Sequence, residues 1–224
     1  MIVNLRRSVV AIIVFTAFFG FVYAFAGTGV AQLFFRHQAD GSITADGSTL
    51  IGQNWSHLTT FDGTKAYWPS TDWFNGRPDD TGPYSTTNLS VNPVGRGGDN
   101  PLAATGLQAN GKVADDVSGG SSATNLGPRS KVLETDTEEL VAWWHSQGID
   151  PTPDLVTTSG SGIDPDISPQ DALVQVPMVS KATGISQAQL RALVNQETNG
   201  AQLGFLGSSY VDVLQLNEAL AKLK

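Results

Sequence analysis

An uninterrupted apolar run near the N-terminus dominates the hydropathy pattern of this 224-residue chain. Between Ser8 and Phe35 no side chain is charged, and the few polar groups are small or amide-bearing. A helix rises about 1.5 Å per residue, so about 20 apolar residues cross a hydrocarbon core about 30 Å thick. The run therefore predicts a transmembrane helix over residues 8–35, with residues 1–7 in the cytoplasm and residues 36–224 outside.

Two arginines and an Ala-x-Ala sequence leave a second interpretation open, a cleaved secretory signal peptide. Arg6 and Arg7 form a positive n-region, and Ala24-Phe-Ala26 resembles a cleavage site. The apolar region is longer than that of an ordinary signal peptide and resumes after the cleavage site, which favours a retained anchor. In both interpretations the arginines stay in the cytoplasm and the rest of the chain is exported.

Beyond the anchor, β-prone runs, an aromatic segment and a polar stretch follow one another. Short runs between Gly and Asp turns predict strands or a hairpin within residues 36–60. The Trp/Phe cluster of residues 67–78 suits either a loop that fills the core or a surface that contacts a ligand or a protein. Residues 85–125 contain few large apolar groups, so they predict a long, partly mobile surface loop.

The C-terminal half carries helical periodicity and capping signals. The predicted elements are a helix over residues 130–147, a helix that begins at Ser168 and is kinked or ended by Pro177, a helix from Ser186 to Asn199-Gly200, and a strand followed by a short helix from Tyr210. Together these patterns predict a mixed α/β (α+β) extracytoplasmic domain attached to a single N-terminal transmembrane helix.

Charge and cysteine content restrict the classes of function. The part of the chain after the anchor carries 11 Lys and Arg against 21 Asp and Glu, a formal charge of −10. This acidic exterior argues against binding nucleic acid or anionic lipid, since both are negatively charged. The chain has no cysteine, so disulfides and thiolate–metal sites are both excluded.

Three short sequences resemble binding or catalytic motifs, and each departs from its pattern. Gly160-Ser-Gly162 begins like a dinucleotide fingerprint, but proline stands where the third glycine belongs. Residues 164–168 have the spacing of calcium ligands but lack the glycine and glutamate that complete such a loop. Asp79-Asp80 lies in a Pro/Gly-rich stretch, where carboxylates are usually solvated. The sequence therefore predicts turns at these places and no independent catalytic centre.

Six sequence blocks together resemble the KdpC subunit of the bacterial high-affinity potassium-transporting P-type ATPase. They follow the family's order behind a single N-terminal anchor and span nearly the whole chain, and the long Ser/Gly/Asp/Pro block is the most specific. The blocks are Leu50-Ile-Gly-Gln53, Trp73-Phe-Asn-Gly-Arg-Pro78, Asn125-Leu-Gly-Pro128, Asp154-Leu-Val-Thr-Thr-Ser-Gly-Ser-Gly-Ile-Asp-Pro-Asp-Ile-Ser-Pro169, Gln202-Leu-Gly-Phe-Leu-Gly207 and Val211-Asp-Val-Leu-Gln-Leu-Asn217.

The chain departs from the family pattern in three places. Residues 85–124 are an enlarged insertion, Asp166 stands where a histidine is common, and Ser208-Ser-Tyr210 replaces a Glu-Pro-Arg-like turn. These differences weaken any contact carried over at those positions and leave the resemblance of the whole chain intact.

The resemblance implies a subunit without catalysis of its own in an ATP-driven potassium pump. The implied partners are a channel-like potassium-binding subunit, a P-type ATPase catalytic subunit and a small single-helix subunit. ATP, Mg²⁺ and K⁺ would be handled by the complex, since this chain has neither a D-K-T-G phosphorylation motif nor a T-V-G-Y-G filter loop. The family has been viewed both as a catalytic chaperone for ATP binding and as a cover near the extracellular ion entrance.

The predicted topology favours assembly or the ion entrance over direct contact with ATP. Both arginines precede the anchor, which places the large domain outside while ATP is inside. Contact of Gln202 or Ser161 with nucleotide would require inverted topology or a partner that reaches across the membrane. Glycines in the anchor would let another helix approach closely, or would only lower the stiffness of the helix.

Two sets of residues follow from these patterns, and none of them is predicted to be catalytic or to bind a cofactor or metal. Candidate partner contacts are Gly20, Gly27, Gly29, Trp73, Phe74 and Arg77. Block residues without an assigned role are Ser159, Gly160, Ser161, Gly162, Asp164, Pro165, Gln202, Gly204, Phe205 and Gly207.

Two competing functions remain open at the level of the sequence. A free exported binding module for carbohydrate would use Trp55, Trp68 and Trp73, and it requires cleavage at the Ala-x-Ala sequence. A hydrolase built on the Asp79-Asp80 pair is the weaker alternative.

Overall fold

The computed structural model describes residues 2–44, 47–52, 55, 57–78, 106–107, 113–114 and 127–224. The chain divides into two compact units, residues 1–44 and 45–224. The first is helical, and the second combines helices with short antiparallel strands. An apolar N-terminal helix followed by a mixed helix and sheet domain is confirmed, whereas the membrane attachment and the extracytoplasmic position of the domain stay predictions.

The first unit is a long apolar helix followed by a single helical turn. Helix α1 (Ile2–Ala17) continues through a π-helical stretch (Phe18–Tyr23) into α2 (Ala24–Phe34), because the residues at both junctions keep right-handed helical angles. A short helix, α3 (Arg36–Ala39), follows. In the described part of the chain one helix, Val3–Phe34, is long and apolar enough to cross a membrane, and none of its apolar window is buried.

The second unit begins with a β-hairpin. Strands β1 (His57–Phe61) and β2 (Thr64–Trp68) pair antiparallel and leave only Asp62 and Gly63 between them. These two residues have φ of 47° and 78°, the backbone of a type I′ turn, which Asp-Gly adopts readily. The β-prone runs on which the prediction of strands rests, residues 41–44 and 47–52, form no strand element, and β1 begins after them. The aromatic segment begins inside β2.

A second pair of short strands lies within the predicted insertion. Strand β3 (Gly106–Leu107) pairs antiparallel with β4 (Val113–Ala114). The remainder of residues 85–124 lies outside the described residues, as do Asp79 and Asp80. The predictions of a mobile loop and of a carboxylate pair therefore stay predictions.

Helix α4 (Lys131–Ser146) confirms the helix predicted from apolar periodicity. The Ser130 side chain accepts the N–H of Leu133, and Gly148 follows the helix with a φ of 77°. A polar cap at the start and a left-handed glycine at the end are the usual boundaries of a helix. A 3₁₀ turn (Pro153–Leu155) then leads into the Ser/Gly/Asp/Pro block.

Helices α5 (Pro169–Thr183) and α6 (Gln187–Gln196) both begin at the predicted capping boxes. Pro177 does not end α5, which continues for another six residues. Its side chain lies on an exposed face of the helix, where water can bond the carbonyl left without a donor.

A three-stranded antiparallel sheet organises the C-terminal half, with β7 (Tyr210–Asp212) between β5 (Asp166–Ile167) and β6 (Thr198–Asn199). Helix α6 therefore ends before the predicted Asn199-Gly200, because Thr198 and Asn199 leave the helix to pair with β7. Helix α7 (Val213–Ala221) follows β7 and confirms the predicted strand-then-helix ending. The core includes the buried side chains of Trp68, Phe74, Trp144, Leu155, Val176, Leu190, Leu216 and Leu220.

Candidate functional site: where the sequence blocks meet

Two buried amide side chains hold the loop that contains Trp73-Phe-Asn-Gly-Arg-Pro78. The Asn217 amide, on α7, accepts the Phe74 N–H at 2.9 Å and donates to the Phe74 carbonyl at 2.8 Å. The Gln175 amide, on α5, accepts the Asn75 N–H at 2.8 Å and donates to its carbonyl at 3.0 Å. Both amides are 0 % exposed, so they satisfy backbone groups that water does not reach.

Asn75 also fixes the shape of the loop from within. Its side-chain oxygen accepts the Ser70 N–H at 2.8 Å, and its NH₂ group donates to the Ser70 carbonyl at 2.8 Å. The Ser70 hydroxyl in turn donates to Asp72 at 2.7 Å. The loop is therefore bonded both to itself and to two helices, and its Phe74 side chain fills the core.

Arg77 ties the same loop to the start of the Ser/Gly/Asp/Pro block. Its guanidinium donates to the Thr158 carbonyl at 3.0 Å and to the Thr157 hydroxyl at 3.4 Å. It also lies 3.6 Å from a carboxylate oxygen of Asp154. Since the Arg77 side chain is only 24 % exposed, most of its surface is engaged within this chain.

Gly52 brings a third block into contact with the second half of the same segment. Its N–H donates to the Ile163 carbonyl at 2.7 Å, and a Cβ at this position would lie 2.9 Å from the Asp164 carbonyl oxygen. Only glycine permits this approach of two backbones. Nearby, the Ser159 hydroxyl accepts the Gly162 N–H at 2.9 Å, and Gly162 has a φ of 76°. The predicted turn with unusual backbone angles is thus present.

Four of the six blocks therefore converge on one place, which we call the block junction: Gly52, residues 70–77, residues 154–166 and Asn217. Of the block residues without an assigned role, Ser159 and Gly162 are buried in it, whereas Gly160 and Ser161 are exposed. Pro165 accepts the Val213 N–H at 3.0 Å through its carbonyl.

Two carboxyl groups face each other across the sheet beside the block junction. Asp166 on β5 pairs with Asp212 on β7. Burial is the main cause that raises the pKa of Asp166 to about 6, and the negative charges of Asp212 and Asp164 contribute to the same shift. Burial also raises the pKa of Asp212, against backbone N–H groups of α7 that lower it. Asp166 lies in a strand and not in the turn predicted for it, and Asp166 and Asp212 repel each other when both are charged.

The outer edge of the loop carries an aromatic and cationic contact. The Lys224 ammonium lies 3.3 Å from the centre of the Trp73 ring and 3.3 Å from a carboxylate oxygen of Asp72. The Trp55 and Trp73 rings are 5.3 Å apart. Of the three loop residues predicted to contact a partner, Trp73 and Arg77 keep some exposed surface, whereas Phe74 is a core residue.

The block Gln202–Gly207 forms a tight turn, here called the apolar turn. Gln202 and Leu206 exchange two backbone hydrogen bonds of 2.9 Å. Leu203, Gly204 and Gly207 all have positive φ, of 54°, 81° and 82°. Leu203 is 83 % and Phe205 74 % exposed, so this block presents apolar side chains outward.

The anchor glycines have open surroundings within the helical unit. Apart from the neighbouring residues and the helix's own backbone, no atom lies within 4 Å of the position that a Cβ would take on Gly20, Gly27 or Gly29. Gly20 falls in the π-helical stretch. Whether another helix packs there stays a prediction.

The described residues contain no group of three or more His, Asp or Glu side chains placed to hold a metal ion. An open groove of about 770 Å³ follows α4 and is lined by Leu133, Thr137, Val141 and His145 among others. The buried amides of Gln175, Asn217 and Asn75 at the block junction are bonded to backbone atoms of the same chain. These hydrogen bonds hold the loop of residues 70–77 in one conformation.

Sequence reasoning missed the residues that assemble the block junction. Gln175 and Asn217 act across 100 and 143 positions of the chain, and no local pattern reveals such a pairing. The one available signal is an amide residue within an otherwise apolar helical face, since buried amides require partners.

Comparison with known proteins covers almost the entire chain. A sequence model of the family described as "KdpC: K+-transporting ATPase, c chain" matches residues 5–222. A potassium-transporting ATPase KdpC subunit of Rhodopseudomonas palustris (strain TIE-1) is 38 % identical over 227 residues, covering 98 % of this chain and 97 % of that protein. The subunit from Geobacter sulfurreducens is 34 % identical over 225 residues, covering 97 % and 96 %.

A third relative agrees at slightly lower coverage. KdpC subunit 1 of a Nostoc species is 36 % identical over 210 residues, covering 91 % of this chain and 88 % of that protein. The matched range includes the anchor and all six blocks. The chain therefore belongs to the KdpC family, the c-chain subunits of the K⁺-transporting ATPase.

Proposed function

We propose that this chain is a non-catalytic accessory subunit of an ATP-driven, high-affinity potassium uptake pump. Family membership carries the proposal, because the relatives are named as subunits of a potassium-transporting ATPase. The chain serves assembly and stability of the complex near the extracellular ion entrance. ATP hydrolysis, Mg²⁺ binding and K⁺ transport belong to other subunits.

The N-terminal helix anchors the chain in the plasma (inner) membrane in a single pass. The helix Val3–Phe34, 32 residues long, exceeds the thickness of a hydrocarbon core, and it is followed by an acidic domain. Arg6 and Arg7 lie at the N-terminal end of this helix, before its uncharged stretch, so the positive-inside rule favours an N-terminus in the cytoplasm and a large domain outside.

The hydrogen bonding of the block junction supports a structural use of the family blocks. Gln175 and Asn217 bond to backbone groups of this chain, and Arg77 donates to the Thr158 carbonyl and contacts the side chains of Thr157 and Asp154. A catalytic or ligand site would instead leave polar groups directed at a substrate. The blocks therefore maintain a rigid domain that other subunits can contact.

The partners in this proposal are a channel-like potassium-binding subunit, a P-type catalytic subunit and a small single-helix subunit. A role as a chaperone for ATP binding would require the extracytoplasmic domain to act across the bilayer, so we place the chain with assembly and ion entrance. Family membership does not favour the free exported module.

Co-purification tests the proposal. The chain carries an affinity tag joined to its C-terminus by a flexible linker, which leaves the Lys224 side chain on Trp73 and Asp72, and is isolated in mild detergent from whole potassium-starved cells. Mass spectrometry should find a P-type ATPase and a large multi-span subunit with it. Two results together would overturn the proposal: recovery of a solitary chain trimmed after Ala26, and normal growth in micromolar potassium of a second strain in which this gene is deleted.

A further inference from the structure

The apolar turn concentrates exposed apolar surface at one place. Among the described residues of the second unit, the exposed large apolar side chains are Leu50, Leu203, Phe205, Leu206 and Leu223. Three of these five lie within Gln202–Gly207. A soluble surface scatters such residues singly, so a local cluster indicates a contact.

The backbone of the apolar turn is held in a fixed and costly shape. Besides the paired bonds between Gln202 and Leu206, the Phe205 N–H donates to the Gln202 carbonyl at 3.2 Å. Leu203 has a φ of 54°, in the left-handed region, which costs an L-residue about 1 kcal/mol or more. The exposed side chains are thus preorganised, which lowers the entropy lost when they bind.

The chain segment that carries the apolar turn has no charged side chains and mostly small ones. No Lys, Arg, Asp or Glu occurs from Thr198 to Val211. Apart from Leu203, Phe205 and Leu206, the residues from Gly200 to Ser209 are glycine, alanine, serine or glutamine. A narrow projection with an apolar tip suits insertion into a pocket.

Charge decides between a lipid surface and a protein as the occupant. The exported part of the chain carries a formal charge of −10, and the turn contributes no Lys or Arg to offset it. Peripheral insertion into a membrane normally combines apolar side chains with basic ones. A protein pocket needs no such basic residues.

The small area of the apolar turn distinguishes two possible protein partners, a second copy of this chain and a subunit that other contacts already hold close. Three side chains bury far less than the roughly 1,200 Å² of a standard stable interface. They add affinity where a membrane anchor and other contacts keep the partners close. We infer that the apolar turn inserts Leu203 and Phe205 into an apolar pocket on another subunit of the potassium ATPase, an inference that rests on the proposed function.

Site-specific photocrosslinking in the intact complex tests the identity of the occupant. A benzophenone amino acid replaces Phe205, and in a matched control it replaces the exposed Lys181 on α5. Position 205 should yield an adduct with another ATPase subunit, identified by mass spectrometry. An adduct with lipid, an adduct with a second copy of this chain, or no adduct in an intact complex would each overturn the inference.

A double variant, Leu203→Ser with Phe205→Ser, tests the contribution to binding. Recovery of the other subunits should fall at least ~10-fold, as for loss of an interface anchor. The exposed Leu223→Ser variant serves as the control and should recover them normally. Thermal unfolding of the purified double variant should match the wild type, which separates lost binding from misfolding.

These outcomes also separate the inference from the proposed function. If the wild-type chain recovers no ATPase subunits, the proposed function fails. If the wild type and the double variant recover them equally, the proposed function stands and only the inference about the turn fails.

Discussion

Asn217 and Gln175 give the loop around Phe74 and Asn75 the kind of pairing that a neighbouring strand would supply. Each amide meets both the N–H and the carbonyl of one loop residue. An amide of either residue has one donor group and one acceptor, which matches a peptide unit. Because all four groups are buried, the removal of either amide leaves backbone groups without partners.

Asn217→Leu should therefore destabilise the domain by about 2–4 kcal/mol, because two buried backbone groups lose their partners while the volume is nearly kept. Urea unfolding of the full chain in detergent, followed by tryptophan fluorescence, measures this. Asn195→Leu, on an exposed position of α6, is the matched control and should change the free energy of unfolding by less than about 0.5 kcal/mol. Equal effects at both positions would contradict a clamping role for Asn217.

Asp166 makes stability depend on pH. Its pKa is about 6 in the folded protein, against about 3.9 for an unperturbed aspartate. Between these values the folded state binds more protons than the unfolded state, so the free energy of unfolding falls as the pH rises from about 4 to 6. Asp166→Asn should remove the part of this fall in the free energy of unfolding that comes from Asp166.

At pH 7.5 the Asp166→Asn variant should be more stable than the wild type, by at most about 1 kcal/mol because the group is partly solvated. At pH 4 the two should be equal, and Asp212 should leave both with a residual slope in the same direction. Urea unfolding at several pH values measures this, with Glu138→Gln on the exposed surface of α4 as the control. A constant difference between variant and wild type at all pH values would rule out the titration.

Among the elements, helix α5 contains a proline, Pro177, in its interior. Pro177 removes the N–H that would bond the Leu173 carbonyl, and its side chain is exposed. Pro177→Ala should raise the free energy of unfolding by about 1 kcal/mol, the gain of a helical bond less the entropy returned to the unfolded chain. Loss of stability in the same urea assay would instead mean that packing of α5 depends on the proline.

The elements differ in how far local sequence determines them. Helix α5 starts where Ser168 and Asp171 cap it, so its beginning is predictable from four residues. The end of α6 depends on Thr198 and Asn199 pairing with β7, more than ten positions away. Local signals define caps and turns, whereas strand pairing and buried amide contacts arise only when distant segments meet.

Contacts between distant segments are equally hard to predict at the candidate site. The family blocks were recognisable one by one, but their convergence on the block junction depends on Gln175 and Asn217, which have no local signature. The exposure of Leu203 and Phe205 was equally hidden, because apolar residues beside glycines suit a core turn as well as a surface one.

At the scale of the whole molecule, the proposed function divides the work between a membrane helix and a folded domain. An anchor in the bilayer would keep the chain close to its partners, and this confinement makes small contacts such as the apolar turn effective. The backbone bonds between Gln202 and Leu206 keep that turn in a fixed shape. This division requires the domain to lie outside the cell membrane.

The absence of cysteine allows the topology to be tested with single introduced thiols. Asn4→Cys lies in the first turn of the N-terminal helix, before Arg6 and Arg7, and Lys181→Cys lies on the exposed surface of α5. A membrane-impermeant maleimide should label position 181 in intact spheroplasts and position 4 only after permeabilisation, because Arg6 and Arg7 hold the N-terminus inside. Labelling of position 4 alone in intact spheroplasts would invert the topology and return direct contact with ATP to consideration.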